Sequence, residues 1–266
     1  MYFIYLIKIG FKKEIKIKKN SERLLIVGAG ESCNQMSKND WIHFSDTADI
    51  AALSYGVFLP KHVDFFFFEP PFRSEYTKKY YYNYINEVVP KIQNLIEKKI
   101  IKNIFVKNMS DEKSIKKKLN YKINKIFSWS IRTNNLNKII RIYKIFDFIG
   151  LTQRILIQKR TSISGIASWA IANGYKEVIF CGIDLKSNTY YFENNKNFEN
   201  YNFLSVGDNT LGKHSNMNTH PTSNKFGEID LTDVLREMCK RYDTEFYVTS
   251  KSSRLHDFLD IYEQRK

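Results

Sequence analysis

The chain has 266 residues, 43% of them hydrophobic and 15% aromatic, which excludes a disordered or low-complexity chain and provides for one large core. A formal net charge of +14 makes the surface attractive to anions such as nucleic acid, an acidic membrane or an anionic sugar nucleotide, although abundant Lys, Ile and Asn also typify AT-rich genomes. The cysteines, Cys33, Cys181 and Cys239, are odd in number and far apart, which argues against a disulfide framework or structural zinc and for a reducing cytoplasm.

Residues 1–20 (MYFIYLIKIGFKKEIKIKKN) join a short apolar part to a basic one without a small-residue cleavage site. They read as a basic N-terminal segment, either an exposed strand or tail or an interfacial anchor on anionic lipid, and not as a signal peptide. The rest, 21–266, reads as one domain. Residues 24–27 (LLIV) form a buried-strand run followed by Gly28-Ala29-Gly30-Glu31-Ser32, where glycines allow a sharp turn and the next helix N-terminus offers N–H donors to a phosphate or ribose. Cys33 stands where the dinucleotide fingerprint would place a third glycine, so a plain strand-to-helix turn fits equally well. Residues 40–44 (DWIHF) suggest a second strand and 50–55 a helix, while 62–68 (HVDFFFF) suggest a third strand stopped by Glu69-Pro70-Pro71. A helix is expected over 75–98, divided by Pro90, and then a strand over 99–107; residues 110–149 follow no clear pattern.

Residues 161–185 (TSISGIASWAIANGYKEVIFCGIDL) carry the strongest signal. A helix with Gly165, Ala167, Ala170 and Ile171 stops at Asn173-Gly174, where glycine supplies the left-handed C-cap. The apolar run 178–181 is a strand covered on both faces, and Gly182-Ile183-Asp184 follows at its carboxyl end, where ligands sit in an open α/β sheet. The polar stretch 186–223 is too long for an ordinary connection and reads as a lid over the site or as a disordered insertion. A helix over 230–242, a strand over 245–249 and a C-terminal helix complete the chain. Alternating strands and helices predict an α/β fold: a single Rossmann-like domain with a mostly parallel central sheet flanked by helices, plus the lid-like insertion.

Four blocks together resemble the bacterial lipooligosaccharide sialyltransferases of glycosyltransferase family 42. They are the strand with Gly28-x-Gly30-x-Ser32; Phe67-Phe68-Glu69-Pro70; Ser164-Gly165 with Ala170-Ile171-Ala172-x-Gly174-Tyr175-Lys176-Glu177 and Gly182-Ile183-Asp184; and a histidine before an Ile/Asp/Leu-rich helix and a strand ending near Tyr247. The blocks span most of the chain, and the third is the specific one. The resemblance implies transfer of a nonulosonic acid from its cytidine monophosphate (CMP) donor to a galactose-type acceptor, with inversion, no metal and no cofactor beyond the donor.

Such a donor reacts through an oxocarbenium-like transition state, so the acceptor hydroxyl needs a base and the departing phosphate needs donors or cations. The resemblance points to His220 as the base, ahead of the helix containing Asp230; His214 in Gly212-Lys213-His214-Ser215 is the alternative. His43, His62 and His256 read as structural. For the leaving phosphate it implies Tyr190, with Tyr191 adjacent, and Lys186, which stands where the family has another tyrosine. Arg160, one residue off the family's arginine, is assigned to an anionic group. The nucleotide-binding positions that the resemblance and the two loops imply are Gly28, Ala29, Gly30, Ser32, Asp46 (in Ser45-Asp46-Thr47), Glu69, Ser164, Gly165, Gly182 and Asp184. Ala29, Glu69 and the region of Asp46 depart from the family's asparagines, which implies a base read differently or a donor such as pseudaminic or legionaminic acid.

The expected partners are a CMP-sugar donor and a glycan or glycolipid acceptor, in the cytoplasm or peripherally on the inner membrane, with a homo-oligomer left open. Two other readings compete: a motility-associated or capsule-type glycosyltransferase using another nucleotide sugar, and a non-catalytic basic module binding RNA or anionic lipid. No nucleic-acid motif is recognisable, so nucleic acid is not an expected partner.

Overall fold

The computed structural model describes residues 17–69, 78–107, 119, 121, 123–131, 133, 135–152, 155–159, 161–185, 189–193, 195–199, 201, 203 and 231–263. Among the described residues nine strands form one sheet: β1 (Arg23–Val27), β2 (Asp49–Leu53), β3 (Phe65–Phe68), β4 (Ile104–Lys107), β5 (Ile123–Ser130), β6 (Ile155–Gln158), β7 (Glu177–Cys181), β8 (Glu245–Val248) and β9 (Asp260–Ile261). Their order is β6-β5-β4-β3-β2-β1-β7-β8-β9, and every pairing is parallel. The helices among the described residues are α1 (Lys38–Thr47), α2 (Lys78–Asn83), α3 (Val89–Glu97), α4 (Leu136–Phe148), α5 (Ser162–Ala172) and α6 (Leu231–Arg241).

The sheet is buried on both sides, which is why its strands read as continuous apolar runs. In β3, Phe65 and Phe67 enter the core shared with α4, α5 and α6, while Phe66 and Phe68 enter the core shared with α1 and α3. Trp169 of α5, fully buried, stands edge-on to Phe65 and Phe67 with ring centroids 5.2 Å away in each case. This contact lays α5 across the middle of the sheet.

Several expectations stand. Residues 24–27 and 178–181 fall in neighbouring parallel strands, with Val27 opposite Cys181. Pro90 does divide its helix: it lies in the first turn of α3, and a π-helical segment, Tyr84–Val88, joins α2 to α3. Proline has no N–H to give to the carbonyl four residues back, so the regular ladder is interrupted there.

Residues 40–44 and 50–55 reverse their expected states. The former lie in α1, where a capping box joins Ser37 and Asp40. The Asp40 N–H donates to Ser37 Oγ at 3.1 Å, and the Ser37 N–H donates to Asp40 Oδ2 at 2.8 Å. Residues 49–53 (DIAAL) are strand β2, slotted between β1 and β3 and buried throughout. Tertiary pairing there overrides alanine's helical preference. The unplaced middle holds β5 and α4. The expected C-terminal helix is instead a 3₁₀ turn, Arg254–Asp257, leading into β9. Residues 1–16 lie outside the described residues, and so does most of the expected lid over 186–223, of which 189–193, 195–199, 201 and 203 are described.

Gly174 closes α5 at φ +74° with its Cβ direction open except for Lys19 Nζ at 3.9 Å. Conformation alone sets its role, so Gly174→Ala is expected to lower stability by about 1 kcal/mol in urea unfolding, and Gly174→Asn by less.

Candidate functional site

Strands β1 and β7 are neighbours, yet their connections leave in opposite directions. From β1 the chain passes through α1 on one face of the sheet to β2, whereas β7 is reached from β6 through α5 on the other face. Such a switch point opens a crevice at the carboxyl ends of the strands, the usual ligand position in open α/β sheets. Two sequence-selected loops meet there: Gly28 to Ser32 after β1, and Gly182 to Asp184 after β7.

The meeting is close. The Gly28 N–H donates to the Cys181 carbonyl at 2.8 Å and the Gly30 N–H to the Gly182 carbonyl at 2.9 Å. A Cβ on Gly28 would fall 2.4 Å from the Gly182 oxygen, and one on Gly30 would fall 2.5 Å from Asp184 Oδ2. Gly182 takes φ +65°, and a Cβ there would meet Cys33 Sγ at 2.3 Å. These glycines are demanded by loop-to-loop packing.

Asp184, only 7% exposed, joins the loops chemically. It accepts the Ser32 N–H at 2.9 Å and also the Ser32 hydroxyl. The turn Glu31–Gln35 therefore begins with its Ser32 donor bound to a protein carboxylate. Burial pushes the Asp184 carboxyl above its usual range; the two Ser32 bonds oppose this but leave it raised. The loop after β8 braces the same segment, since Ser253 Oγ donates to the Ile183 carbonyl at 2.7 Å and the Arg254 N–H to the Asp184 carbonyl at 2.8 Å.

Tyr190 and Tyr191 cross the first loop from outside. Gly30 and Tyr190 form an antiparallel bridge, and the Tyr191 N–H donates to the Ala29 carbonyl at 3.0 Å. The buried Tyr191 hydroxyl donates to the Tyr55 carbonyl at 2.8 Å, which anchors the crossing. Tyr190 stacks on Phe192 with centroids 5.3 Å apart and meets Tyr55 edge-on at 6.2 Å.

A second group forms at the ends of β3 and β6, where the Ser162 hydroxyl donates to Glu69 Oε1 and joins β3 to the first turn of α5. Ser164 behaves differently from expectation. It is fully buried, its Oγ accepts the Lys159 N–H at 2.9 Å, and its hydroxyl lies 2.9 Å from the carbonyls of Lys159 and Thr161. That hydroxyl is occupied by backbone and is not presented to a ribose or phosphate. Gly165 lets α5 approach β6, since its Cβ would lie 3.2 Å from the Leu156 Cβ.

The fold thus gathers Gly28, Ala29, Gly30, Ser32, Gly182, Asp184 and Tyr190 at one crevice, and places Glu69 two strands away on the same edge. Asp46 is not brought there: it is exposed near the end of α1, just before β2 begins, and so lies at the opposite edge of the sheet. The turn that does follow β2 is Ser54–Phe58, with Ser54 at φ +47° and Gly56 so close that a Cβ would sit 2.4 Å from the Val27 carbonyl oxygen. This turn is hidden in the sequence because the IAAL run suggests a helix; the Ser-Tyr-Gly that closes the run is its one signal. His220, His214, Lys186 and Arg160 lie outside the described residues.

Neither a family model nor a curated protein matches the sequence. Among solved structures, the chain is similar to the monofunctional alpha-2,3-sialyltransferase Cst-I from Campylobacter jejuni, at 18% identity over 94% of this chain and 83% of that one, with a TM-score of 0.49. It is also similar to the sialyltransferase CstII from Campylobacter jejuni solved with cytidine-5'-monophosphate, at 18% identity over 92% and 86% of the two chains, with a TM-score of 0.48.

Two predictions follow from the loop contact. Because the Asp184 carboxyl is raised in the folded state, the stability it confers is present below its ordinary pKa of 3.8 and is lost as pH climbs through the raised value. Asp184→Asn, which cannot ionise, should become progressively less destabilising relative to wild type as pH rises from acid to neutral in urea titrations. A constant difference would show that ionisation is not what burial opposes. Gly182→Ala should cost about 2–4 kcal/mol from its left-handed backbone and the Cys33 contact together. Adding Cys33→Ala should recover only the contact part, so a double-mutant cycle should show coupling of about 1 kcal/mol or more.

Proposed function

We propose that this chain is an inverting, metal-independent glycosyltransferase that moves sialic acid or a related nonulosonic acid from its CMP-activated donor to a galactose-type acceptor of a surface glycan. The observation that carries the reading is the convergence of the first and third resemblance blocks on one crevice, where Ser32 and Asp184 lock the two loops. The blocks lie about 150 residues apart in sequence, and the crevice is the position where open sheets bind nucleotides.

In this reading the backbone around Ala29 and Gly30 faces the donor, and Tyr190, bridged to Gly30, offers a phenolic donor to the departing phosphate. Arg160 and Lys186 supply positive charge to the phosphate and the sugar carboxylate. His220, an imidazole and so the kind of side chain suited to general-base work at neutral pH, takes the acceptor proton as the acceptor oxygen attacks the anomeric carbon and the bond to phosphate breaks. His214 is the alternative base. The occupied hydroxyl of Ser164 favours one variant of this reading, a related glycosyltransferase that takes a different nucleotide sugar.

Thermal-shift measurements with CMP, UMP, AMP and GMP separate these readings: stabilisation by CMP above the others supports the CMP donor, and preference for another nucleotide supports the variant. Release of CMP with a galactose-terminated acceptor and a CMP-nonulosonic acid should persist in chelator. His220→Gln should lower turnover by ~10²–10⁴-fold with donor binding nearly intact, and His214→Ala should be mild by comparison. Lys186→Ala should also weaken donor binding, because the phosphate is charged in both ground and transition states. A fully active His220 variant with a dead His214 variant reverses the assignment of the base. Full activity in both removes histidine from the mechanism, and complete dependence on a divalent ion overturns the proposal.

A further inference from the structure

Helix α4 carries an outer face that the core does not use. Its inner residues Ile139, Ile140, Tyr143 and Phe146 are buried. On the outside Phe148 is 92% exposed and Ile145 48% exposed, the two highest values among the exposed large hydrophobic residues described. Around them stand Lys138, Arg141 and Lys144, all exposed. Asn137, Arg141, Lys144, Ile145 and Phe148 recur at helical spacing, and together with Ile140 they line an open hollow of about 620 Å³. The helix's one acidic residue, Asp147, turns inward, where its carboxylate accepts the Thr152 hydroxyl and, at 2.9 Å, the Tyr242 hydroxyl. The outer face therefore combines two apolar side chains with three cations and no exposed anion.

We infer that this face of α4 docks the protein on an anionic lipid bilayer. An interfacial helix lies in the membrane plane with apolar side chains in the acyl boundary and Lys/Arg among the headgroups, and the Ile145–Phe148 pair inside a cationic rim has that form. Of the other occupants, a nucleic acid would engage the cations but has no use for an aliphatic side chain beside them. A symmetric contact with a second copy would set three cations against three, with no exposed anion on the helix to relieve them. The apolar pair also lies apart from the crevice: α4 returns from the carboxyl end of β5 to the amino end of β6, so Ile145 and Phe148, near its C-terminus, stand at the opposite edge of the sheet. It is thus a surface in its own right, independent of the proposed chemistry.

Flotation of the full chain with phosphatidylcholine vesicles, with and without phosphatidylglycerol, tests the inference. Wild type is expected to float with the anionic vesicles only, and less as salt is raised. Ile145→Ser with Phe148→Ser should lower partitioning about tenfold or more, since both apolar insertions are lost. Lys138→Gln with Arg141→Gln should weaken binding and flatten its salt dependence. Both pairs are exposed, so the urea midpoint should stay close to wild type and confirm that folding is intact. Undiminished partitioning of the double-serine variant overturns the inference and moves any membrane contact elsewhere, to residues 1–20 for instance. Equal binding to neutral vesicles overturns it too, as does self-association in sedimentation velocity that disappears in the double-serine variant. Nucleotide binding is read separately, so failure here leaves the donor proposal standing.

Discussion

One buried carboxylate organises the carboxyl edge of the sheet. Asp184 leaves the end of β7 and enters a nearly dry site, where an ionised group is costly unless donors surround it. Ser32 answers with its backbone N–H and its hydroxyl. Both donors belong to the loop after β1, so the bond is also a tether between adjacent strands. The tether requires β1 and β7 to pair in the register observed, with Val27 beside Cys181, because a slip would carry the carboxylate away from the turn. The switch point is thus fixed chemically as well as topologically.

The glycines must be understood together with that tether. A Gly-x-Gly turn after a strand suggests backbone left bare for a phosphate. Here Gly28 and Gly30 are bare because the β7 loop lies within about a bond length and a half of where their side chains would begin. Gly182 reciprocates against Cys33, whose thiol sits 3.6 Å from that of Cys181 beneath the crevice. The Cys181 contact and burial both push the Cys33 thiol up, which keeps it neutral and suits a packing role. The same motif can serve both purposes only if the ligand approaches from a side of the turn that neither the β7 loop nor the crossing of Tyr190 and Tyr191 covers.

The parts of the fold that were legible share one property. The runs at 24–27, 65–68 and 178–181 are short, wholly apolar and bounded by glycine, proline or charge, so a strand buried on both faces is their simplest state. Pro90 and Gly174 announced their effects because each has a single stereochemical consequence. The reversed assignments came where local preference and tertiary position disagree. Residues 40–44 contain Trp, Ile and Phe and look strand-like, yet a capping box just upstream starts a helix. Residues 50–53 hold two alanines, which matter as small side chains under tight layers and not as helix formers. A strand expected at 40–44 points to Asp46 as the residue after it, whereas the turn after the actual β2 begins at Ser54. Ser164 lies in the first turn of α5, as the sequence suggests, but sequence carries no signal for whether a hydroxyl faces a ligand or the carbonyl of Lys159.

Charge places a further demand on the proposed site. The charged side chains described on the two crevice loops are Glu31 and Asp184, and Glu69 adds a third carboxylate along the same edge. A nucleotide phosphate and a sugar carboxylate would both be repelled by that set. The net charge of +14 does not answer this by itself, because three of its cations are spent on the outer face of α4, away from the crevice, and surface charges beyond a Debye length are screened. Positive charge must therefore reach the crevice from side chains adjoining the loops. Arg160 precedes α5, whose first turn already touches Glu69, and Lys186 follows the β7 loop two residues after Asp184. In the proposed reading these two cations are the ones that would offset the carboxylates and hold an anion.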